Sequence, residues 1–381
     1  MVFIADDQII SPLGFSSEEN IRALKNKQTG IKKHTDKRIS ENEFYAALID
    51  EFCLAEAFKK MGNPTDYTKL EQMLLLSVQK ILERNPDLDL ENTGWILSTT
   101  KGNIEALKAT SSFSKEKSKL YALGKIIQEF FHLQSTPIIV SNACISGGLA
   151  VAIGKRFIQS GKYDHVIVVG GDVVSEFVFS GFTSFQAISD QPCKPFSKHR
   201  SGISLGEAAA AILLSGKESL RPENPIFVIG DASANDANHI SGPSRTGEGL
   251  FFSIQQALEG ANISSEAIEY ISAHGTATPF NDEMEAIAFD RAGLAHVPVN
   301  SLKGFYGHTL GASALLETII AARSLSTNEL YPSLGFDELG VSKPINVLRE
   351  NQKKELKTAL KTASGFGGCN VALVLQKGNN G

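Results

Sequence analysis

The run His165-Val166-Ile167-Val168-Val169-Gly170-Gly171-Asp172 constrains this chain more than any other feature. It is apolar at nearly every position rather than at alternate ones. A strand of that pattern has no face to give to water and must be covered on both sides. Further strand patterns appear at Gly94 to Ser98, Ala208 to Leu214, Ile226 to Gly230, Ala267 to Ala273, Val297 to Asn300 and Val371 to Leu375. Between them lie helical spacings. One is 66–85, with Leu70, Met73, Leu74, Leu75, Val78 and Ile81 on one face; another is 247–261. Such alternation predicts an α/β fold with covered sheets. The polar, Pro-containing stretch 215–225 predicts a boundary between an N-terminal half, 1–220, and a C-terminal half, 221–381. Each half holds a strand, a Gly-rich turn bearing a reactive-type side chain and a helix, which predicts an internal duplication. The basic stretch Lys32 to Arg38 reads as a solvated loop.

Composition narrows the function classes. Apolar residues make up 42% and charged residues 21%, as in ordinary globular proteins. A net charge of −5 argues against a nucleic-acid surface. Cys53, Cys144, Cys193 and Cys369 are scattered, with neither CxxC pairs nor metal-ligand spacing, so neither a disulfide framework nor a metal site is expected. No apolar window is long enough to span a membrane, and Asp6 and Asp7 stand where a signal peptide carries base. The expectation is a cytoplasmic protein.

Four stretches carry chemistry. In Ser141-Asn142-Ala143-Cys144-Ile145-Ser146-Gly147-Gly148, the apolar run Pro137 to Val140 enters a turn of small residues, and a helical pattern follows. Cys144 therefore sits beside a helix N-terminus, which favours a thiolate. A buried structural cysteine is the competing reading. In Ser272-Ala273-His274-Gly275-Thr276-Ala277-Thr278-Pro279, a histidine ends a strand and faces a turn. In Lys303-Gly304-Phe305-Tyr306-Gly307-His308, a second histidine precedes a small-residue helix, a position that favours neutral imidazole. Ser364-Gly365-Phe366-Gly367-Gly368 is a turn with exposed backbone N–H groups. The phenylalanine-rich stretch 176–190 reads as a pocket wall, a subunit interface or plain core.

In this order, the four stretches resemble the active-site motifs of the elongating, decarboxylating β-ketoacyl-acyl carrier protein synthases. The resemblance spans nearly the whole chain. It implies a thiolase fold, an αβαβα five-layered sandwich of two pseudo-repeated halves. It implies an acyltransferase in which Cys144 is acylated and His274 and His308 promote decarboxylation of a malonyl thioester. Lys303 and Glu317 match the family's supporting pair, and the N–H groups of Cys144 and Phe366 match its oxyanion hole. Thr276 and Thr278 match pantetheine contacts; the segment 236–241 resembles one near the pantetheine tunnel, with Ser241 as a candidate replacement for a threonine contact there; Phe366 matches a gating phenylalanine. No metal or organic cofactor is implied. The implied partners are an acyl carrier protein and a second subunit, identical or related, with Lys101, Lys194, Lys198 or Arg200 as candidates for a basic entrance. The chain departs from the family pattern over Ser111 to Val140, where a charged helix replaces a Pro/Gly-rich stretch, and at Ile145-Ser146 and Phe280-Asn281. These departures suggest a specialised polyene or pigment pathway. A non-catalytic, chain-length-factor-like subunit is the alternative, although such subunits lose the nucleophile. A degradative thiolase would carry its second cysteine ahead of the terminal glycines, where Cys369 does not lie, and a starter-unit synthase would pair the cysteine with His and Asn.

Overall fold

A computed structural model describes residues 1–236 and 242–378. Eleven strands form one long sheet. The N-terminal half contributes β1 (Phe3–Ile10), β2 (Thr93–Ser98), β3 (Ile138–Val140), β4 (His165–Asp172) and β5 (Ala208–Ser215). The C-terminal half contributes β6 (Ile226–Asn235), β7 (Tyr270–Ser272), β8 (Pro298–Asn300), β9 (Asn346–Val347), β10 (Thr358–Gly365) and β11 (Cys369–Lys377). The order is β9-β8-β7-β10-β11-β6-β1-β5-β4-β2-β3. Outward from the centre, each half runs first, fifth, fourth, second, third, with β9 added at one edge. In both halves the two inner pairings are antiparallel and the next two are parallel. Only Phe3–Phe227 and Ile4–Ile226 join β1 to β6, so the sheet can fold over at its middle.

The layers follow from strand alternation. On β4, Val166 and Val168 pack inward with Ala150 and Val151 of helix α2 (Ser146–Gln159). The neighbouring Ile167 and Val169 pack outward with Leu70, Met73 and Leu74 of helix α1 (Lys69–Arg84). In the other half, Ile271, Leu360 and Val374 meet Leu250 and Ile254 of helix α3 (Glu248–Ala261) and Met284 of helix α4 (Pro279–Arg291). Helix α5 (Ser313–Thr327) lies beside α2 in the middle, with Leu315, Leu316, Ile319 and Ile320 in the central core. Helix, sheet, paired helices, sheet, helices is the five-layered arrangement expected.

Some local expectations fail. Lys32–His34 is a strand paired with Phe44–Ala47, not a loop; its lysines project outward while backbone pairing holds the segment. The strand expected over Ala267 to Ala273 shrinks to Tyr270–Ser272, because Ser265–Ala267 forms a helical turn. Within Ser111 to Val140 the helix proper is Leu120–Phe130, and its end is anchored by Phe131 stacked 6.2 Å from Trp95.

Candidate active site

Cys144 lies two residues before the first turn of α2. Ala143 ahead of it takes a left-handed conformation (φ 45°), which sharpens the turn. The Ser146 hydroxyl fixes that turn by donating to the Ala143 carbonyl (2.6 Å) and accepting the Asn142 N–H (2.8 Å). The small residues have a steric reason. A Cβ on Gly147 would stand 2.7 Å from the Leu315 backbone nitrogen and 3.0 Å from the Gly311 carbonyl oxygen. Glycine here lets α2 and α5 touch, and that contact sets how near the cysteine comes to the loop carrying His308. A Cβ on Gly365 would likewise lie 3.0 Å from the Cys144 nitrogen, so the backbone leading into Phe366 abuts the nucleophile.

Both histidines are held by their backbones. The His308 N–H donates to the Ser204 carbonyl (2.7 Å), its carbonyl accepts the Gly206 N–H (3.0 Å), and Asp172 accepts the Gly311 N–H (2.7 Å). Glu285, on α4, accepts the N–H groups of His274 (2.8 Å) and Gly275 (2.6 Å) with its two oxygens. The three side chains converge. His308 Nε2 is 3.0 Å from Cys144 Sγ. The two imidazole centroids are 5.1 Å apart and nearly perpendicular, and one ligand atom from each of the three residues lies within 4.8 Å of the others.

The outer ring nitrogens are occupied as acceptors. Leu310 N–H donates to His308 Nδ1 (3.3 Å), and the Lys303 ammonium donates to His274 Nδ1 (3.2 Å) and to the His274 carbonyl (2.5 Å). An imidazole that accepts at Nδ1 carries its proton at Nε2, so both rings aim an N–H donor inward. Burial first, then the Lys303 charge, pushes both histidines well below the usual imidazole value. Neutral imidazole was expected for His308, but desolvation and Lys303 are the causes here rather than the helix start. For Cys144 the expectation changes sign. Burial pushes the thiol up to about 12 with a contribution from Cys369, while Lys303 and Lys101 pull the other way. The resting side chain is therefore a thiol, and the helix end with the His308 N–H offers stabilisation to a thiolate as it forms.

Glu317 accepts from Lys303 (2.8 Å) and Ser313 (3.0 Å) on one oxygen, and Lys361 lies 2.7 Å from the other. Burial opposes its ionisation, yet the two ammoniums hold its carboxyl below the usual range. Cys144, His274 and His308 are also the one group among the described residues with metal-ligating atoms this close. Two neighbouring ammoniums oppose a cation there.

Cys144, His274, His308, Thr276, Thr278 and Phe366 line one cavity of about 340 Å³. The Thr276 and Thr278 hydroxyls are 2.8 Å apart. Phe366 packs against Phe182 (5.4 Å) and Phe185 (5.0 Å), so part of the phenylalanine-rich stretch is pocket wall. Ser241 lies outside the described residues. Of the basic candidates, Lys194 pairs with Asp337 (3.9 Å) and Lys198 with Glu338 (3.1 Å). Arg200 lies 3.8 Å from Asp282 and donates to the Gly340 carbonyl (2.6 Å). Arg200 faces a buried carboxylate, whereas the Lys194 and Lys198 pairs are solvent-exposed. Sequence reasoning missed Glu285, Asp172 and Lys361. A lysine inside the run Thr358-Ala359-Leu360-Lys361-Thr362-Ala363 was the one available signal.

The family profile described as "Beta-ketoacyl synthase, N-terminal domain" matches residues 2–219, and "Beta-ketoacyl synthase, C-terminal domain" matches 227–337. The 3-oxoacyl-(acyl-carrier-protein) synthase 2 of Rhizobium meliloti is 32% identical over 319 residues, 76% of this chain and 75% of that protein. A putative mitochondrial 3-oxoacyl-(acyl-carrier-protein) synthase of Schizosaccharomyces pombe is 30% identical, covering 97% of both chains. Among solved structures, a ketosynthase from Xenorhabdus doucetiae in complex with its chain length factor superposes with a TM-score of 0.86 at 24% identity, over 99% of this chain and 98% of that one. A β-ketoacyl synthase from Burkholderia phymatum gives 0.87 at 22% identity over 99% of each. Those two likenesses speak to the fold, which is the thiolase fold. No helix among the described residues is long and apolar enough to cross a membrane. With both domain profiles matched in order and the motif residues gathered around one cavity, the chain belongs to the β-ketoacyl synthase family.

Proposed function

We propose that the protein is a 3-oxoacyl-acyl carrier protein synthase, an acyltransferase that joins a bound acyl group to malonyl-acyl carrier protein with loss of CO2. The observation that carries this reading is the approach of Cys144 Sγ, His274 and His308 to within 4.8 Å at the wall of one cavity.

In the first half-reaction, Cys144 sulfur attacks the thioester carbonyl of an acylated carrier protein. The acyl–sulfur bond forms on Cys144, the carrier thiolate leaves, and the cysteine proton ends on that thiol. The N–H groups of Cys144 and Phe366 are assigned to the developing oxyanion, a placement supported by the close approach at Gly365. In the second, malonyl thioester loses CO2, and the electron pair passes into an enolate whose oxygen accepts from the Nε2–H groups of His274 and His308. Neutral donors in a dry site are worth more than in water, because no solvent reorganises as charge develops. The enolate carbon then attacks the acyl carbonyl, and Cys144 leaves as thiolate. Lys303 and Glu317 hold His274; Thr276 and Thr278 are assigned to the amides of the pantetheine arm, with Ser241, and Phe366 to a gate. On this reading 1–220 delivers the nucleophile and 221–381 the histidines. The protein would act in the cytoplasm, with an acyl carrier protein and a second, identical or related, ketosynthase subunit.

The test is mass spectrometry after incubation with an acyl-carrier thioester. The reading expects one acyl group on the Cys144 peptide. A chain that never acquires it would be a non-catalytic subunit instead.

A further inference from the structure

On the face of β10 towards the central helices, Ala359 and Ala363 are small and apolar, and Lys361 between them is not. Its side chain is 1% exposed. The ammonium lies 2.7 Å from Glu317 Oε2 and donates to the carbonyls of Thr362 (2.5 Å), Ser272 (3.2 Å) and Ala273 (3.4 Å). Ser272 and Ala273 are the two residues before His274. The other oxygen of Glu317 accepts from Lys303, which in turn donates to His274 Nδ1. His274 is therefore reached by Lys361 twice, through its own strand end and through Glu317 and Lys303. Exchanging a buried ionic group for apolar side chains of equal volume is often neutral for stability, so packing alone does not call for lysine here.

We propose that Lys361 is a positioning residue for the decarboxylating half-reaction. Its charge lies against one oxygen of Glu317 (2.7 Å), so that Lys303 is not wholly drawn to that carboxylate and stays directed at His274 Nδ1, keeping His274 an Nε2–H donor towards the cavity. The inference rests on the synthase reading above. The charged and titratable groups around His274 are Lys303 and His308 from the segment ahead of α5, Glu317 from α5, Lys361 from β10, Glu285 from α4 and Cys144 ahead of α2. After burial, Lys303 and His308, Lys361 is a further influence that keeps the His274 ring from taking a proton. Its removal lets protonation, and loss of the acceptor at Nδ1, begin at higher pH.

The experiment uses the full-length Lys361→Met protein and follows CO2 release from a malonyl thioester against pH. The expected result is a kcat lower by about tenfold to a hundredfold, the scale set by small misplacement of a reacting group. KM should hold, the acidic limb should move to higher pH, and iodoacetamide should still alkylate Cys144 at the wild-type rate. Lys361→Gln keeps a donor for the carbonyls but loses the charge; it should show the same displaced limb, and it carries the test if the methionine variant does not fold. A variant with wild-type kcat, or a reduced kcat with an unmoved limb, overturns the proposal and leaves the synthase reading standing. A wild-type limb at or above the ordinary imidazole value of 6.5 overturns it without any variant. Absence of CO2 release from the wild type would instead strike the synthase reading.

Discussion

Glu317→Gln tests the buried electrostatics in a way that separates charge from shape. Glu317 is the carboxylate shared by Lys303 (2.8 Å) and Lys361 (2.7 Å), and the side chains of all three are at most 4% exposed. The substitution preserves volume. Its amide oxygen can accept from one ammonium, but its NH2 group then faces the other, leaving two buried cations and no counter-charge. Removing one partner of a buried ion pair costs about 3–5 kcal/mol, and we expect a loss in that range in urea denaturation at pH 7. The pH dependence is the sharper reading. Burial already pushes Lys361 down and Glu317 is the main influence opposing it, so in the variant the folded Lys361 resists protonation more than it does in the unfolded chain, where a lysine pKa is about 10.4. The unfolded state then binds more protons below that value, so the variant's stability rises with pH and its gap from wild type narrows towards pH 10. A loss under about 1 kcal/mol, far short of a broken buried pair, or a gap that does not narrow, would refute the reasoning.

Further outcomes follow from the same geometry. Gly147→Val should lower the thermal midpoint and slow Cys144 acylation, because its Cβ would stand 2.7 Å from the Leu315 nitrogen and force α2 away from α5; overpacking of this kind costs about 1–3 kcal/mol. With both histidines held well below 6.5 by burial and Lys303, CO2 release should stay level from pH 8 to 6.5 and fall only well below it. Stability should begin to fall sooner, as pH drops through 6.5, since the unfolded histidines take protons there that the folded ones refuse until well below it. Because burial pushes the Cys144 thiol up to about 12, its alkylation by iodoacetamide should accelerate steadily with pH above 7; a plateau near neutrality would mean that the helix end and His308 outweigh desolvation.

The layered fold was legible because its cause is local. A run such as His165 to Asp172 cannot tolerate water on either face, and the structure covers it with α1 on one side and α2 on the other. The positions of Cys144, His274 and His308 were legible because small residues and glycines mark turns that bring backbones together. The charge network was less so. Glu285 looks like any helical acid until α4 is laid under the His274 turn, and Asp172 ends a strand whose partners, Thr99, Thr100 and Gly311, come from distant segments. Arg200 looks like surface charge in sequence and turns out to face the buried Asp282, while Lys194 and Lys198 remain on the surface beside Asp337 and Glu338; all three carboxylates lie at least 80 positions downstream. Sequence spacing carries periodicity, but it does not carry which acid a folded chain sets beside which base.

The central claim is that His274 and His308 serve the malonyl step and Cys144 the acyl step. Comparing CO2 release from a malonyl thioester with acylation of Cys144, in wild type and in His274→Ala and His308→Ala, tests it most directly. The account predicts that each histidine variant still takes up an acyl group on Cys144 while CO2 release collapses. CO2 release unchanged in both variants would contradict it.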